Sequence, residues 1–151
     1  MKKLKLSIVA VLIVMCAAAS VACFGGNGSP KAAFNLMISG MNKGDVKKIA
    51  KAVYPAGDEL DRFAADDNNA GAYGKGDFKF TAKNFKADIN GDNATATVTM
   101  AVKGKVGILS IDAKNMELKG VTFHKIDGKW YINFVVFQAA LAAALVTAMV
   151  Q

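Results

Sequence analysis

Apolar and polar positions along this chain fall into two regimes, a helical period early and a strand period late. Ala33, Phe34, Met37, Ile38 and Met41 recur at steps of three and four, which turns one stripe toward a core and predicts a helix. Ser29-Pro30 marks its start, a capping hydroxyl followed by proline at the first helical position, and Gly44 marks its end. Asp45 caps a second predicted helix, in which Val46, Ile49, Ala50 and Val53 face inward and which stops at Tyr54-Pro55. Its lysines, Lys47, Lys48 and Lys51, read as a solvated face or as a contact for anionic headgroups. A third short turn is expected from Asp58, burying Leu60 and Phe63.

From Phe78 the period is two. Phe78, Phe80, Phe85, Ala87 and Ile89 alternate with polar residues, with a bulge expected near Lys83-Asn84. Asn90-Gly91 turns the chain, and Ala94, Ala96, Val98, Met100 and Val102 form the buried side of a long antiparallel partner. Gly104 and Gly107 interrupt the alternation. Ile108–Ile111 and Met116–Ile126 then supply two more strand segments. Asp127-Gly128 closes a hairpin onto Lys129–Phe134, where Trp130, Ile132 and Phe134 share one face. Helices followed by a strand meander predict an α+β fold, with helices packed on a curved antiparallel sheet of about four strands.

The tail changes register again. After Lys129 there is no charged residue, and Phe134–Gln151 is almost wholly apolar. Phe134-Val135-Val136-Phe137 is expected to prolong the last strand, and 138–151 to form an apolar C-terminal helix. At ~1.5 Å per residue that helix falls short of a ~30 Å hydrocarbon core. Apolar all round, it has to be covered by the domain, by a second chain as a homodimer, or by a membrane surface.

Composition adds an exported leader. Met1–Lys5 is basic and Leu6–Ala19 is uncharged and apolar, the pattern of a signal peptide over 1–22. Three of the 19 basic residues leave with it, so 16 face 12 acidic ones, a net charge of +4. With a single arginine, Arg62, and scattered lysines, the chain lacks the footprint of a nucleic-acid binder. Ser20-Val21-Ala22-Cys23 resembles the lipobox of bacterial lipoproteins, departing from it at Ser20, where leucine is usual. The resemblance implies that Cys23 is lipidated and becomes the mature N-terminus, anchoring the protein at the bacterial cell envelope. An ordinary signal-peptidase site is the alternative, but it leaves Cys23 as an unpaired thiol in an oxidising compartment. Residues 23–29 then read as a flexible tether, 30–137 as the domain and 138–151 as the terminal helix.

The Ser29-Pro30 start, the Lys43-Gly44-Asp45 break, the Gly91-Asp92-Asn93-Ala94 turn and the ending Lys125–Ile132 together resemble lumazine-binding-like lipoprotein domains of the nuclear transport factor 2-like superfamily. The resemblance implies a cone whose first helix closes a curved sheet around a pocket, used by some relatives for ligands or catalysis and left by others as packed core. Its candidate lining here is Phe34, Met37, Phe63, Phe78, Phe80, Val98, Met100, Trp130 and Ile132. A small apolar ligand or an envelope protein is the expected partner.

Chemistry-bearing residues are sparse. His124 alternates with Phe123 and reads either as a pocket acid or base or as a surface residue. Asp88 and Asp112 are the strand carboxylates that a ketosteroid-isomerase-like site could use. Asp88–Asp92 imitates a calcium loop, yet Asn93 and Thr99 stand where glycine and a bidentate glutamate are needed. Asp66–Asn69 reads as a loop lacking the spacing of calcium ligands. No cofactor, metal cluster or nucleophile with a base is legible. The expectation is a non-catalytic binding domain, with an isomerase- or dehydratase-like enzyme and a dimerising structural protein as the alternatives.

Overall fold

A computed structural model of the chain describes residues 27–54, 78–106 and 108–149. Helix α1 is Pro30–Lys43 and α2 is Val46–Ala50; strands β1 (Val53–Tyr54), β2 (Phe78–Asn90), β3 (Asn93–Val106), β4 (Leu109–Ile126) and β5 (Lys129–Asn133) follow, and α3 is Phe134–Met149. The sheet order is β1-β5-β4-β3-β2, antiparallel except for β1 beside β5. The architecture is α+β, with a helix before the sheet and another after it. The sheet has five strands and is mixed, where a four-stranded antiparallel one was expected.

Helix α1 begins as its sequence dictates. The Ser29 hydroxyl accepts from the Ala32 N–H at 3.1 Å, and Pro30 at the first position needs no donor. It ends in a left-handed Gly44, where the Asp45 N–H returns to the Gly40 carbonyl at 2.9 Å and the Asp45 carboxylate caps α2 through the Lys48 N–H at 3.0 Å. The second helix is shorter than expected. It stops at Ala50, and Val53 enters the sheet, paired in parallel with Ile132. The non-local bond from the Ile132 N–H to the Ala52 carbonyl, 2.9 Å, outweighs local helical spacing there.

The expected tether is tied down at its described end. Asn27 is buried, its side chain donating to the Lys51 carbonyl at 2.6 Å while its own carbonyl accepts from the Trp130 N–H at 2.8 Å. It thus joins the segment before α1, the end of α2 and β5.

Strand β4 is one continuous element of 18 residues, where two segments were expected. Two irregularities explain the broken alternation. Val98 and Ala96 on β3 oppose Leu118 and Val121, so Lys119 and Gly120 meet one residue; Lys114 and Asn115 do the same between Met116 and Ala113. Asn115 (φ 55°) and Gly120 (φ 72°) take the left-handed conformation of such bulges. Each bulge bends the strand and adds twist, keeping Ala113, Met116, Leu118, Val121 and Phe123 on the buried face. The expected β2 bulge occurs at Lys83, between Ala82 and Asn84.

Both long helices lie on the same face of the sheet. Helix α1 lies against β2 on one side and β5 on the other, and α3 runs beside β4. The Phe34 ring sits 5.5 Å from Phe85 and 6.0 Å from Phe137, and Phe85 sits 5.9 Å from Phe123. Four aromatic rings from four elements thus form the centre of the core, in tilted and edge-on geometries that favour the ring quadrupoles.

Phe134–Phe137 does not prolong β5. Helix α3 starts at Phe134, because the Asn133 side chain accepts from the Val136 N–H at 3.2 Å and so caps a helix at the point where the strand ends. As strand residues, Phe134 and Phe137 would have pointed to opposite faces or outward; as helix residues they stack 6.4 Å apart, with Phe137 fully buried.

Candidate functional site

Phe34 and Met37 come from α1, Phe80 from β2, Val98 and Met100 from β3, Trp130 and Ile132 from β5, and all seven belong to one buried cluster. Phe78 packs against its margin, and Phe63 lies outside the described residues. Phe123 and Phe137 belong to the same cluster, and Phe85 packs against it beside the rings of Phe34 and Phe123. The pairing of Phe137 with Phe34 closes the group. Phe85 and Phe123 carry the same alternation as their neighbours and were open to the same inference. Phe137 was hidden by the strand reading of its segment.

The chemistry-bearing residues lie on the other side. His124 is cross-strand from Tyr131 and backs onto Phe123, so its ring is on the face away from the helices. Its Nδ1 lies 2.7 Å from the Asn93 side-chain oxygen, which accepts the ring proton there, and its ring meets that of Tyr54 edge-on at 5.9 Å. Asp88 and Asp112 are exposed, the latter 3.9 Å from Lys114, a separation with little energetic weight at the surface. The structure therefore does not bring His124, Asp88 and Asp112 together with the apolar candidates.

Two hollows open among the described residues. The first lies between α3 and β4, with a volume of about 460 Å³. It exists because β5 pairs only with the Phe123–Ile126 end of β4, leaving α3 to accompany the rest of that strand. The helix presents Ala140, Ala143, Ala144 and Ala148, side chains too short to fill the gap; Lys114, Glu117 and Lys119 stand on the opposite wall, above the Met116 floor. Lys119 and Glu117 pair at 3.1 Å. An apolar groove with a few charges at its rim suits an amphipathic molecule, and the volume falls within the ordinary range for ligand pockets. The second hollow, about 470 Å³, lies where Lys79, Lys103 and Lys105 surround Asp112 at the far end of β2 to β4. It is cationic and suits an anion by charge alone.

Among the described residues no group of three or more histidine, cysteine, aspartate or glutamate side chains could hold a metal ion, and no helix is long and apolar enough to cross a membrane. Cys23 and the Asp66–Asn69 loop lie outside the described residues.

No family model matches the chain, and no curated protein matches it. Among solved structures, a variant of Rv3472 from Mycobacterium tuberculosis, described as a protein of unknown function, superposes with a TM-score of 0.50 at 17% identity. The match covers 76% of this chain and 85% of that one. The likeness is one of fold. It assigns no activity, since unrelated functions share such folds.

Proposed function

We propose that the protein is a bacterial cell-envelope lipoprotein, anchored through Cys23, whose domain binds a small apolar or amphipathic ligand without catalysing its conversion. The leader and the lipobox-like Ser20–Cys23 support the anchor. Two or more acyl chains would hold it stably on a membrane, where one would be marginal. The binding reading rests on one observation: the helix-covered face of the sheet is packed with phenylalanine, methionine and valine, while His124, Asp88 and Asp112 face outward. An isomerase-like site needs a base and hydrogen-bond donors inside an apolar cavity. Here the groove between α3 and β4 is the better receptacle, its alanines giving room for an apolar chain and Lys114 or Lys119 an anionic end.

In the same proposal the fold is the cone of the nuclear transport factor 2-like superfamily and the domain is lumazine-binding-like. Support comes from α1 lying between β2 and β5 and from the two bulges that bend β4.

The test has two arms. A Cys23→Ala variant should move from the membrane to the soluble fraction of cells. Native mass spectrometry of that soluble form should show a co-purifying ligand that is lost on Ala143→Trp, which fills the groove. Retention on the membrane without Cys23 overturns the anchor, and ligand binding unchanged by Ala143→Trp overturns the groove.

A further inference from the structure

Where β2 begins, β3 ends and β4 begins, the register sets lysine against lysine. Lys79 on β2 is the cross-strand partner of Lys103 on β3, which in turn faces Asp112 on β4. Among the described residues this is the one place in the sheet where like charges stand directly opposite, an arrangement that destabilises a strand pair. Lys105 lies two residues further along β3, about 7 Å away on the same face, opposite Ser110. These side chains are exposed on the side away from the helices, because their neighbours Phe80, Val102 and Ala113 turn toward the core.

Several other lysines on these strands find partners. Lys83 Nζ donates to the Asn115 side-chain oxygen at 3.0 Å, Lys119 pairs with Glu117 at 3.1 Å, and Lys125 lies over the Trp130 ring. Lys79, Lys103 and Lys105 meet no such partner among the described residues, and Asp112, the carboxylate beside them, has Lys114 at 3.9 Å. The three ammonium groups instead surround the second hollow, of about 470 Å³.

From this we propose that the hollow is a binding site for a phosphate monoester. The charges match: three ammonium groups less the Asp112 carboxylate leave two positive charges at the hollow, and a phosphate monoester brings about −1.5 to −2 at pH 7 on three strongly accepting oxygens. The donors match as well. The lining contains no arginine, whose planar fork suits a planar carboxylate; compact, rotatable ammonium groups, each with three donors, suit oxygens spread over a tetrahedron. The hollow is larger than a phosphate group, so the organic part of the ester has room beside Gly104 and Ile111. A bound dianion also relieves the repulsion between Lys79 and Lys103, which gives the opposed pair a purpose that the fold alone does not. The site shares no lining residue with the groove between α3 and β4, and it stands or falls independently of that groove and of lipidation at Cys23.

The test is calorimetric titration of the purified Cys23→Ala chain with glycerol phosphate, beside flotation of the same chain with phosphatidylcholine vesicles that contain or lack phosphatidic acid. Both probes carry a phosphate monoester on glycerol, one free and one at a lipid surface. Lys79→Gln and Lys103→Gln should each weaken binding about tenfold, the loss of one charge-assisted contact, and Asp112→Asn should tighten it. Lys86→Gln removes the same charge from the exposed face of β2 outside the hollow and should leave binding unchanged. The thermal transition of Lys103→Gln should not fall, since the substitution removes a like-charge pair. Binding of glycerol phosphate supports the site with a soluble ester as its ligand; flotation with phosphatidic acid alone, lost on Lys103→Gln, supports it with a lipid headgroup. Binding of neither probe overturns the proposal, as does an equal loss in Lys86→Gln and Lys103→Gln, the mark of diffuse charge. Succinate bound as tightly as glycerol phosphate overturns the assignment to phosphate.

Discussion

Replacing Gly40 by alanine sets two effects of opposite sign against each other. Alanine in a helix interior is favoured over glycine by about 1 kcal/mol, so propensity alone predicts stabilisation of α1. The structure predicts the reverse. A Cβ on Gly40 would stand 2.7 Å from Ile49 Cγ1, 3.0 Å from the Ile49 nitrogen and 3.1 Å from the Asp45 carbonyl oxygen. Cγ1 is no flexible tip: Ile49 is β-branched, 3% exposed and in a helix, where one χ1 rotamer dominates. The two backbone atoms belong to the capped turn that Gly44 and Asp45 hold. Such overpacking costs about 1–3 kcal/mol, which exceeds the propensity gain over most of its range. Gly40→Ala should therefore destabilise the domain by about 1 kcal/mol, lowering its melting temperature by roughly 3–6 °C. Urea unfolding of the Cys23→Ala form reads the difference. In an Ile49→Ala background the largest clash is gone, and the same substitution should become neutral or stabilising, a coupling that a double-mutant cycle isolates. Stabilisation by Gly40→Ala with Ile49 intact would refute the reasoning.

Other substitutions probe separate elements. Asn42 spans the outer backbone of edge strand β2, donating to the Phe80 carbonyl at 2.9 Å and accepting from its N–H at 2.7 Å, so Asn42→Ala should cost about 1–3 kcal/mol and speed exchange of the Phe80 amide. Gly120→Ala meets no atom within 4 Å but must hold φ at +72°, for about 1–2 kcal/mol, whereas Asn115→Gly at the other bulge should be within ~0.5 kcal/mol of neutral; equal costs would contradict the bulge assignment. Asn133→Ala removes the α3 cap and should cost about 1 kcal/mol, with amide exchange accelerated first at Val135 and Val136.

What the sequence made legible is local. The Ser29 cap, the Gly44 stop and the Asp127-Gly128 turn, where both residues have positive φ, are each set by two or three neighbouring residues, and each forms as read. What it concealed depends on distant partners. Val53–Tyr54 is too short to show a period and is strand only because Ile132 and Asn133 lie beside it. Asn27 sits in a glycine-rich stretch that reads as a tether, yet its partners Lys51 and Trp130 lie 24 and 103 residues away. One extra residue at each β4 bulge resets the alternation and made one strand look like two. At Phe134–Phe137 strand propensity competed with the Asn133 cap, and the cap prevailed. The candidate pocket residues, Phe63 apart, were legible as apolar and inward-facing, but periodicity marks a filled core and an open cavity identically. The groove could not be read at all, since it arises from β5 pairing only with Phe123–Ile126 while β4's pairing with β3 runs on to Leu109, and from alanines whose shortness matters only beside that strand.

The central claim, an envelope lipoprotein anchored through its cysteine, is tested most directly by the intact mass of the protein extracted from its native membrane. The expected result is a mature chain that begins at Cys23 and carries added acyl mass, which is lost in Cys23→Ala. An unmodified chain, or acyl mass that persists without Cys23, would contradict it.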